Sequence, residues 1–353
     1  MIPEPQSLDS IADLYESVVR FQETYEPPPG ISARDFMRSS LALMNACPPP
    51  VRRVADNVLL TEVAGWQLRA DVVAPVAPVP PGSYPVIVFF HGGGWSMGNP
   101  ATHRRLACDL AQPGCAVVSV DYRRLPKHRF PAQFDDAVFA VGWAADQAAT
   151  YGWDAGRIIL AGDSAGATLA AAAAEHLARA GGPSVRALLL FYGIFDYHDA
   201  LNRLHPSILL TPQERGQGYL PPEEYETLRE DYRVSPLYGC SSLPATYISA
   251  GTGDSLFAQS QQFAAALRHA GIEHEFHPVD GAPHGFMQLP FHWSYLAGQV
   301  TVHEFLRKHA STRARSRAPG NRVPVARRSQ VSVYASGPPP SGPPPSGPPP
   351  SGP

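Results

Sequence analysis

A serine between small residues is the sharpest chemical signal in the sequence. The pentapeptide Gly162-Asp163-Ser164-Ala165-Gly166 follows a run that predicts a strand and opens an alanine-rich run that predicts a helix. This G-x-S-x-G pattern is typical of a tight turn, in which only glycines let the strand and helix approach closely. The helix N-terminus also favours negative charge that develops beside the serine. The pattern therefore predicts that Ser164 is a nucleophile.

A glycine loop follows an earlier predicted strand. Residues 91–95 read HGGGW, so that His91 precedes Gly92, Gly93 and Gly94. Backbone N–H groups in such a loop can point at an oxyanion without obstruction by side chains. A phosphate-binding loop is the alternative, but Met97 stands where a dinucleotide fingerprint needs a third glycine. The loop is therefore interpreted as an oxyanion loop.

A serine nucleophile on this kind of scaffold needs an acid and then a histidine further along the chain. Asp254 follows one predicted strand, and His284 follows the next, between Pro283 and Gly285. A histidine in this role accepts the serine proton, and the acid fixes its tautomer and stabilises the imidazolium. Asp196 lies after an earlier strand and is the alternative acid. The order predicts Asp254 as the acid and His284 as the base.

No metal or cofactor site is predicted. The four cysteines are irregularly spaced and form no CxxC pair. Residues 303–307 begin like the zinc motif H-E-x-x-H but end in Arg307. Acyl transfer through a serine requires no cofactor, so we expect none.

Apolar strands alternate with helices over most of the chain, which indicates an α/β fold with a mostly parallel sheet covered on both faces. Functional sites in such sheets lie beyond the carboxyl ends of the strands, where each of the motifs above is placed. Strands are predicted at residues 54–63, 66–73, 85–90, 115–120, 157–161, 186–192, 245–250 and 273–278. Helices are predicted near residues 102–111, 134–148, 165–180, 257–269 and 293–308.

Three further segments complete the predicted organisation. Residues 1–50 are expected to be helical, with one helix capped by Ser7 and a second that begins at a capping box of Ser32 and Asp35. Residues 51–310 form the main domain, in which residues 199–232 are a polar, proline-broken insertion. Residues 311–353 are rich in arginine and then proline, a composition that cannot pack a core. We expect this tail to be disordered.

Composition excludes several functional classes. The 353 residues carry a net charge of −3, and because residues 311–353 hold six arginines and no acid, residues 1–310 carry −9. An acidic body argues against nucleic-acid binding. The apolar runs are too short to span a bilayer, and residues 1–10 lack the features of a secretory signal. A cytoplasmic protein without membrane insertion is expected.

These motifs together resemble the bacterial hormone-sensitive-lipase-like carboxylesterases of the α/β-hydrolase family. The resemblance covers about residues 54–308 and rests on HGGGW at 91–95, DYR at 121–123, GDSAG at 162–166, Asp254 with Leu256, and HGF at 284–286. Ala167 departs from the family pattern, which has a further glycine there, and Lys127 replaces a glutamate. These departures bear on substrate preference and leave Ser164, Asp254 and His284 untouched.

The resemblance implies an α/β-hydrolase fold with a helical cap formed by residues 1–50 and 199–232. It implies that Ser164 is the nucleophile, Asp254 the acid and His284 the base, and that the N–H groups of Gly92, Gly93 and Ala165 form the oxyanion hole. The expected activity is hydrolysis of small-molecule esters with short acyl chains through an acyl-serine, and a homo-oligomer is compatible with it. A hydrolase of amides, lactones or N- or O-acetyl groups of a secondary metabolite would use the same residues. A non-catalytic small-molecule binding protein on the same scaffold is the third hypothesis.

Overall fold

The computed structural model describes residues 48–76, 84–203 and 218–310, together with isolated positions between 17 and 45. The helix expected after Ser7 lies almost wholly outside the described residues, as does the tail at 311–353. The middle of the predicted insertion, residues 204–217, also lies outside them.

The described residues form one eight-stranded sheet in the order β1-β2-β4-β3-β5-β6-β7-β8. Strand β1 pairs with β2, and β2 with β4, in antiparallel fashion, and all other neighbours are parallel. The predicted α/β architecture with a mostly parallel sheet is therefore confirmed. The strands are β1 (Arg52–Val63), β2 (Trp66–Ala74), β3 (Tyr84–Phe90), β4 (Ala116–Asp121), β5 (Trp153–Asp163), β6 (Val185–Phe191), β7 (Ala245–Gly251) and β8 (His274–Val279).

Helices cover both faces of the sheet, and each face has its own apolar cluster. Three short 3₁₀ helices, Pro222–Glu224, Pro236–Tyr238 and Phe286–Gln288, lie among the described residues as well. The α-helices are α1 (Arg104–Ala111), α2 (Ala132–Asp146), α3 (Ala148–Tyr151), α4 (Ala165–Ala180), α5 (Tyr197–Arg203), α6 (Tyr225–Leu228), α7 (Phe257–His269) and α8 (Trp293–Ala310).

The register of the parallel strands brings their carboxyl ends to one edge. Phe90 at the end of β3 pairs with Gly162 in β5, and Asp163 at the end of β5 pairs with Phe191 in β6. All seven residues of β3 are buried, as expected for a central strand covered on both faces. The loops that leave β3, β5, β7 and β8 therefore begin close together.

Helix α4 is packed more tightly than an ordinary surface helix. Its first eleven residues, from Ala165 to Glu175, are all buried, and most of them are alanine or glycine. Such short side chains let the helix axis lie close to the sheet, which large side chains would prevent. The alanine-rich composition thus brings the N-terminus of α4 against the ends of β3 and β5.

The N-terminal segment is attached to the main domain at α1. The Asn45 side-chain amide hydrogen-bonds the Thr102 carbonyl, and its Oδ1 accepts the Arg105 N–H at 2.7 Å, which caps the helix from outside. Further along this segment, the Asp35 N–H donates to Ser32 Oγ at 3.1 Å and Ser32 Oγ donates to Asp35 Oδ2 at 2.7 Å. The predicted cap by Ser32 is therefore present, but the reciprocal half of a capping box is not, because the Asp35 carboxylate bonds the hydroxyl of Ser32 and not its N–H.

A buried ion pair fixes the chain after β4. Arg123 donates to Asp136 through its backbone N–H at 2.8 Å, through Nε at 3.0 Å and through Nη2 at 2.7 Å. Only 2 % of the Asp136 side chain and 11 % of the Arg123 side chain are exposed. Because both charges are removed from water, each depends on the other for compensation.

We predict that Asp136→Ala lowers the free energy of unfolding by about 3–5 kcal/mol, because it leaves a buried guanidinium without its counter-charge. Urea denaturation of both proteins measures this difference. Glu226→Ala is the matched control, since Glu226 pairs with Arg229 at the surface, where 80 % of its side chain is exposed. The control should cost less than about 1 kcal/mol, and equal losses in the two variants would contradict the prediction.

Candidate active site

Ser164 occupies a strained turn between β5 and α4. Its backbone has φ 52° and ψ −121°, a conformation that a residue with a side chain rarely adopts. A side chain on Gly162 would overlap the backbone of Gly166, and one on Gly166 would overlap the carbonyl of Phe90. The two glycines therefore permit the close approach that holds Ser164 in this turn, which is the steric requirement expected of a nucleophile elbow.

The structure brings Ser164, His284 and Asp254 into one hydrogen-bonded chain. His284 Nε2 lies 3.0 Å from Ser164 Oγ, and His284 Nδ1 lies 2.7 Å from Asp254 Oδ2. The serine lies at the end of β5, the acid follows β7 and the histidine follows β8. Three residues that are far apart in the sequence thus meet at the carboxyl edge of the sheet.

The surroundings settle where the imidazole proton lies. An ionised carboxylate can only accept, so Nδ1 carries the proton and Nε2 is left to accept the hydroxyl hydrogen of Ser164. Burial by itself would lower the pKa of His284, but the charge of Asp254, its hydrogen bond and the charge of Asp163 together raise it above its usual value. The site thus favours the imidazolium that forms when His284 takes the serine proton.

Asp254 is held in place by the backbone as well as by His284. Its side chain is completely buried, and Oδ1 accepts the Leu256 N–H at 2.8 Å. The alternative acid Asp196 is engaged elsewhere, because its carboxylate accepts from Tyr238 Oη at 2.9 Å and from the Asp199 N–H at 3.0 Å. Of the two predicted acids, the structure places Asp254 against His284.

The glycine loop differs from the expectation at its first glycine. The Gly92 N–H donates to Asp163 Oδ1 at 2.8 Å, so it is not available to a substrate oxygen. The prediction that Gly92 contributes to the oxyanion hole is therefore wrong. Within residues 84–203, the N–H groups of Gly93, Gly94 and Ala165 have no protein acceptor. The donor set that remains for an oxyanion is Gly93, Gly94 and Ala165.

His91, which precedes the glycines, is a buried structural residue. Its ring stacks on Tyr122 at a centroid distance of 4.2 Å, and Tyr122 Oη donates to the His91 carbonyl at 2.6 Å. Burial first, and the neighbouring His103 second, lower its pKa well below the usual range. A neutral His91 ties the start of the glycine loop to the Asp121-Tyr122-Arg123 segment.

Sequence analysis did not anticipate the aromatic neighbours of the loop. The Trp95 ring stacks on Tyr219 at 4.1 Å and meets Tyr197 edge-on at 5.8 Å, and all three side chains are buried. Tyr219 lies in the predicted insertion and Tyr197 just before it, in α5, so this region supplies the ring that covers the loop. The sequence signal was present as tyrosines in an otherwise polar stretch.

Sequence analysis also missed His103, whose Nε2 lies 3.6 Å from Asp163 Oδ2. No spacing rule connects a histidine before α1 with the serine turn, so no motif could have indicated it. In the described part of the chain, no group of three His, Cys, Asp or Glu side chains is placed to hold a metal ion. Nor does any helix there have the length and apolar character to cross a membrane.

Comparisons with known proteins agree with this geometry. Residues 87–288 match a family described by its alpha/beta hydrolase fold. An ethyl acetate hydrolase of Pseudomonas putida is 32% identical over 271 residues, which are 72% of this chain and 82% of that protein. The carboxylic ester hydrolase LipN of Mycobacterium tuberculosis is 33% identical over 276 residues, or 73% of this chain and 70% of that protein.

Solved structures show the same architecture. A hyperthermophilic esterase from the archaeon Pyrobaculum calidifontis superimposes with a TM-score of 0.70 at 25% identity, covering 88% of this chain and 100% of that one. An alpha/beta hydrolase enzyme from the metagenome of Lake Arreo gives a TM-score of 0.71 at 27% identity, over 88% of this chain and 99% of that one. From its matched sequence, its sheet and its serine turn, the chain belongs to the α/β-hydrolase family, in the hormone-sensitive-lipase-like group that its motifs resemble.

Proposed function

We propose that this protein is a serine carboxylesterase that hydrolyses short-chain acyl esters through an acyl-serine intermediate. The observation that carries the proposal is the chain from Asp254 Oδ2 through His284 to Ser164 Oγ, with distances of 2.7 and 3.0 Å. The relatives named as an ethyl acetate hydrolase and a carboxylic ester hydrolase support the same reaction class.

In the first half-reaction, Ser164 Oγ attacks the carbonyl carbon of the ester while His284 Nε2 takes the hydroxyl proton. The carbonyl oxygen becomes an oxyanion, which the N–H groups of Gly93, Gly94 and Ala165 stabilise. The intermediate collapses, the C–O bond to the alcohol breaks, and the alcohol leaves with the proton held by His284. An acyl group remains on Ser164.

In the second half-reaction, water replaces the alcohol. His284 accepts a proton from the water as its oxygen attacks the acyl carbon, and a second oxyanion forms at the same donors. Collapse returns the proton to Ser164 Oγ and releases the carboxylic acid. The raised pKa of His284 assists both halves, because each passes through the imidazolium.

The proposed substrate carries a short acyl group. Trp95, directly after the loop glycines, packs against Tyr219 and Tyr197, and the three buried rings make one stacked and two edge-on contacts. Each methylene that is buried in a pocket adds up to about 0.8 kcal/mol until the pocket is full, and a longer chain then clashes. The substrate is therefore proposed to be a small ester with an acyl group of about two to six carbons.

The division of the chain and its location are parts of the same proposal. Residues 1–50 and about 199–232 are proposed to form the cap, supported by the capping of α1 by Asn45 and the stacking of Tyr219 on Trp95.

A cytoplasmic location is supported by Cys108, Cys115 and Cys240, which are free and buried in the described part of the chain.

Ser164→Ala removes the atom that forms the acyl intermediate. We predict that kcat falls by about 10⁴–10⁶ while the melting temperature changes little. A p-nitrophenyl acetate assay measures the loss of turnover. Labelling by a fluorophosphonate measures the loss of the nucleophile, and the variant should not be labelled. Ser241→Ala, at an exposed serine near Glu175, is the control and should behave like the unchanged protein. Retention of more than a few per cent of activity in purified Ser164→Ala would refute the assignment.

Chain-length preference provides a separate prediction. In a p-nitrophenyl ester series from acetate to palmitate, kcat/KM should peak at about two to six acyl carbons and then fall, because the pocket is full. No rate increase should appear as the substrate passes its solubility limit, since that behaviour belongs to enzymes that bind a lipid interface. An optimum at ten carbons or longer would contradict the proposed pocket.

A further inference from the structure

Asp163 is a buried carboxylate to which the mechanism above assigns no step of its own. It precedes Ser164 directly, at the last position of β5, and only 5 % of its side chain is exposed. An ionised carboxylate is costly to bury unless hydrogen bonds and opposite charge compensate it. The partners of its two carboxylate oxygens therefore show which groups compensate this charge.

One oxygen is bonded to the glycine loop. Oδ1 accepts the Gly92 N–H at 2.8 Å, which links the end of β5 to a loop 71 residues earlier in the chain. A Cβ on Gly92 would lie 2.5 Å from Asp163 Oδ2, so the carboxylate packs directly on the loop backbone. The bond fixes the residue that immediately precedes Gly93 and Gly94.

The other oxygen faces His103. Its Nε2 lies 3.6 Å from Oδ2, beyond hydrogen-bond length, so the interaction is electrostatic. The His103 side chain is 2 % exposed, and Nδ1 lies 3.0 Å from the Thr102 hydroxyl oxygen, whose own proton is donated to the Asn99 carbonyl at 2.9 Å. His91 has the other imidazole nearby, and its ring centroid lies 5.4 Å from that of His103.

We propose that Asp163, supported by His103, is a positioning residue that holds the glycine loop so that its N–H donors stay aligned with Ser164 while the oxyanion forms. The inference rests on the proposed function, because it assigns to Asp163 a task in the same acyl transfer. Asp163 does not touch the reacting atoms. It acts through Gly92, whose N–H it occupies, on the next two residues of the loop.

The charge of Asp163 has a second, measurable consequence at His284. The groups that contact the His284 ring are Asp254, Ser164 and the edge-on ring of Tyr192, at a centroid distance of 5.0 Å. The negative charge of Asp163 contributes to the raised pKa of His284. Since His284 must be neutral to accept the serine proton, this pKa sets the acidic limb of kcat/KM.

Three variants separate the hydrogen bond from the charge. Asp163→Asn keeps an acceptor for the Gly92 N–H and removes the charge, whereas Asp163→Ala removes both. His103→Gln removes the imidazole behind the carboxylate. Asp109→Asn is the control, because Asp109 is also a buried carboxylate but bonds Tyr295 and lies against α8.

The measurements are kcat and KM for p-nitrophenyl butyrate, inhibition by a trifluoromethyl ketone and the pH profile of kcat/KM. The ketone forms a tetrahedral adduct with a serine, so its affinity reports the oxyanion donors, and active sites are counted with a fluorophosphonate. Asp163→Ala should lower kcat by about 10²–10³ with a similar loss of ketone affinity, the range seen when an oxyanion donor is lost, and KM should change less than about threefold. His103→Gln should lower kcat and the ketone affinity by about tenfold each, as expected of a residue that acts through another.

Asp163→Asn should keep kcat within about tenfold of the unchanged protein, because the acceptor remains. Its acidic limb should move to lower pH, since the charge that favours the imidazolium is gone. The control Asp109→Asn should change neither the ketone affinity nor the acidic limb of kcat/KM. If Asp163→Ala does not fold, Asp163→Asn and His103→Gln decide the proposal through the pH profile and the ketone affinity.

The proposal is overturned if folded Asp163→Ala, per active site, binds the ketone and turns over substrate like the unchanged protein, whatever its melting temperature. It is also overturned if Asp163→Asn leaves the acidic limb in place while His103→Gln leaves ketone affinity unchanged. Failure of the proposed function looks different, because the unchanged protein would then neither be labelled at Ser164 nor hydrolyse the ester.

Discussion

The close approach of helix α4 to the ends of β3 and β5 is the constraint on which the rest of the site depends. It requires Gly162 and Gly166, since a side chain at either position would overlap neighbouring backbone. It forces Ser164 into a strained conformation at φ 52°, which costs on the order of 1–3 kcal/mol and must be met by packing elsewhere. The buried alanines of α4 provide that packing, and the serine is presented at a helix N-terminus.

The parallel sheet extends this local constraint to the whole site. Because β5, β7 and β8 run in the same direction, the residues after them reach the same edge, and His284 lies between Asp254 and Ser164. Asp163 adds a link across the sheet, from the serine turn to the glycine loop after β3. Nucleophile, base, acid and loop are thus held by strand ends and not by long flexible segments, which favours a preorganised site.

Sequence alone predicted the strand–helix alternation and the bounds of α4 and α7, because buried strands and an alanine-rich helix leave clear patterns. It placed β5 too short, at 157–161 instead of Trp153–Asp163, since the first half of that strand is partly exposed and polar. It expected one helix at 134–148 where α2 ends at Asp146 and the short α3 follows. The spacing of apolar residues does not report where a strand starts in an exposed segment or where a helix is interrupted by one residue.

In the site, too, some features could be predicted from the sequence and others could not. The serine turn and the order of acid and histidine follow from motifs, whereas hydrogen bonds of individual N–H groups do not. Gly92 and Gly93 are indistinguishable in the sequence, and only the position of the Asp163 carboxylate excludes the first of them from the oxyanion hole. Likewise, His103 and Asp163 are 60 residues apart and meet only because β3 and β5 are neighbours.

The central claim is that Asp254, through His284, activates Ser164, and a comparison of two isosteric variants tests it most directly. Asp254→Asn should lower kcat by roughly 10⁴, because the amide favours the wrong tautomer of His284. Asp196→Asn removes a carboxylate bonded to Tyr238 and Asp199 and should change kcat far less. A larger loss of kcat in Asp196→Asn than in Asp254→Asn would contradict the account.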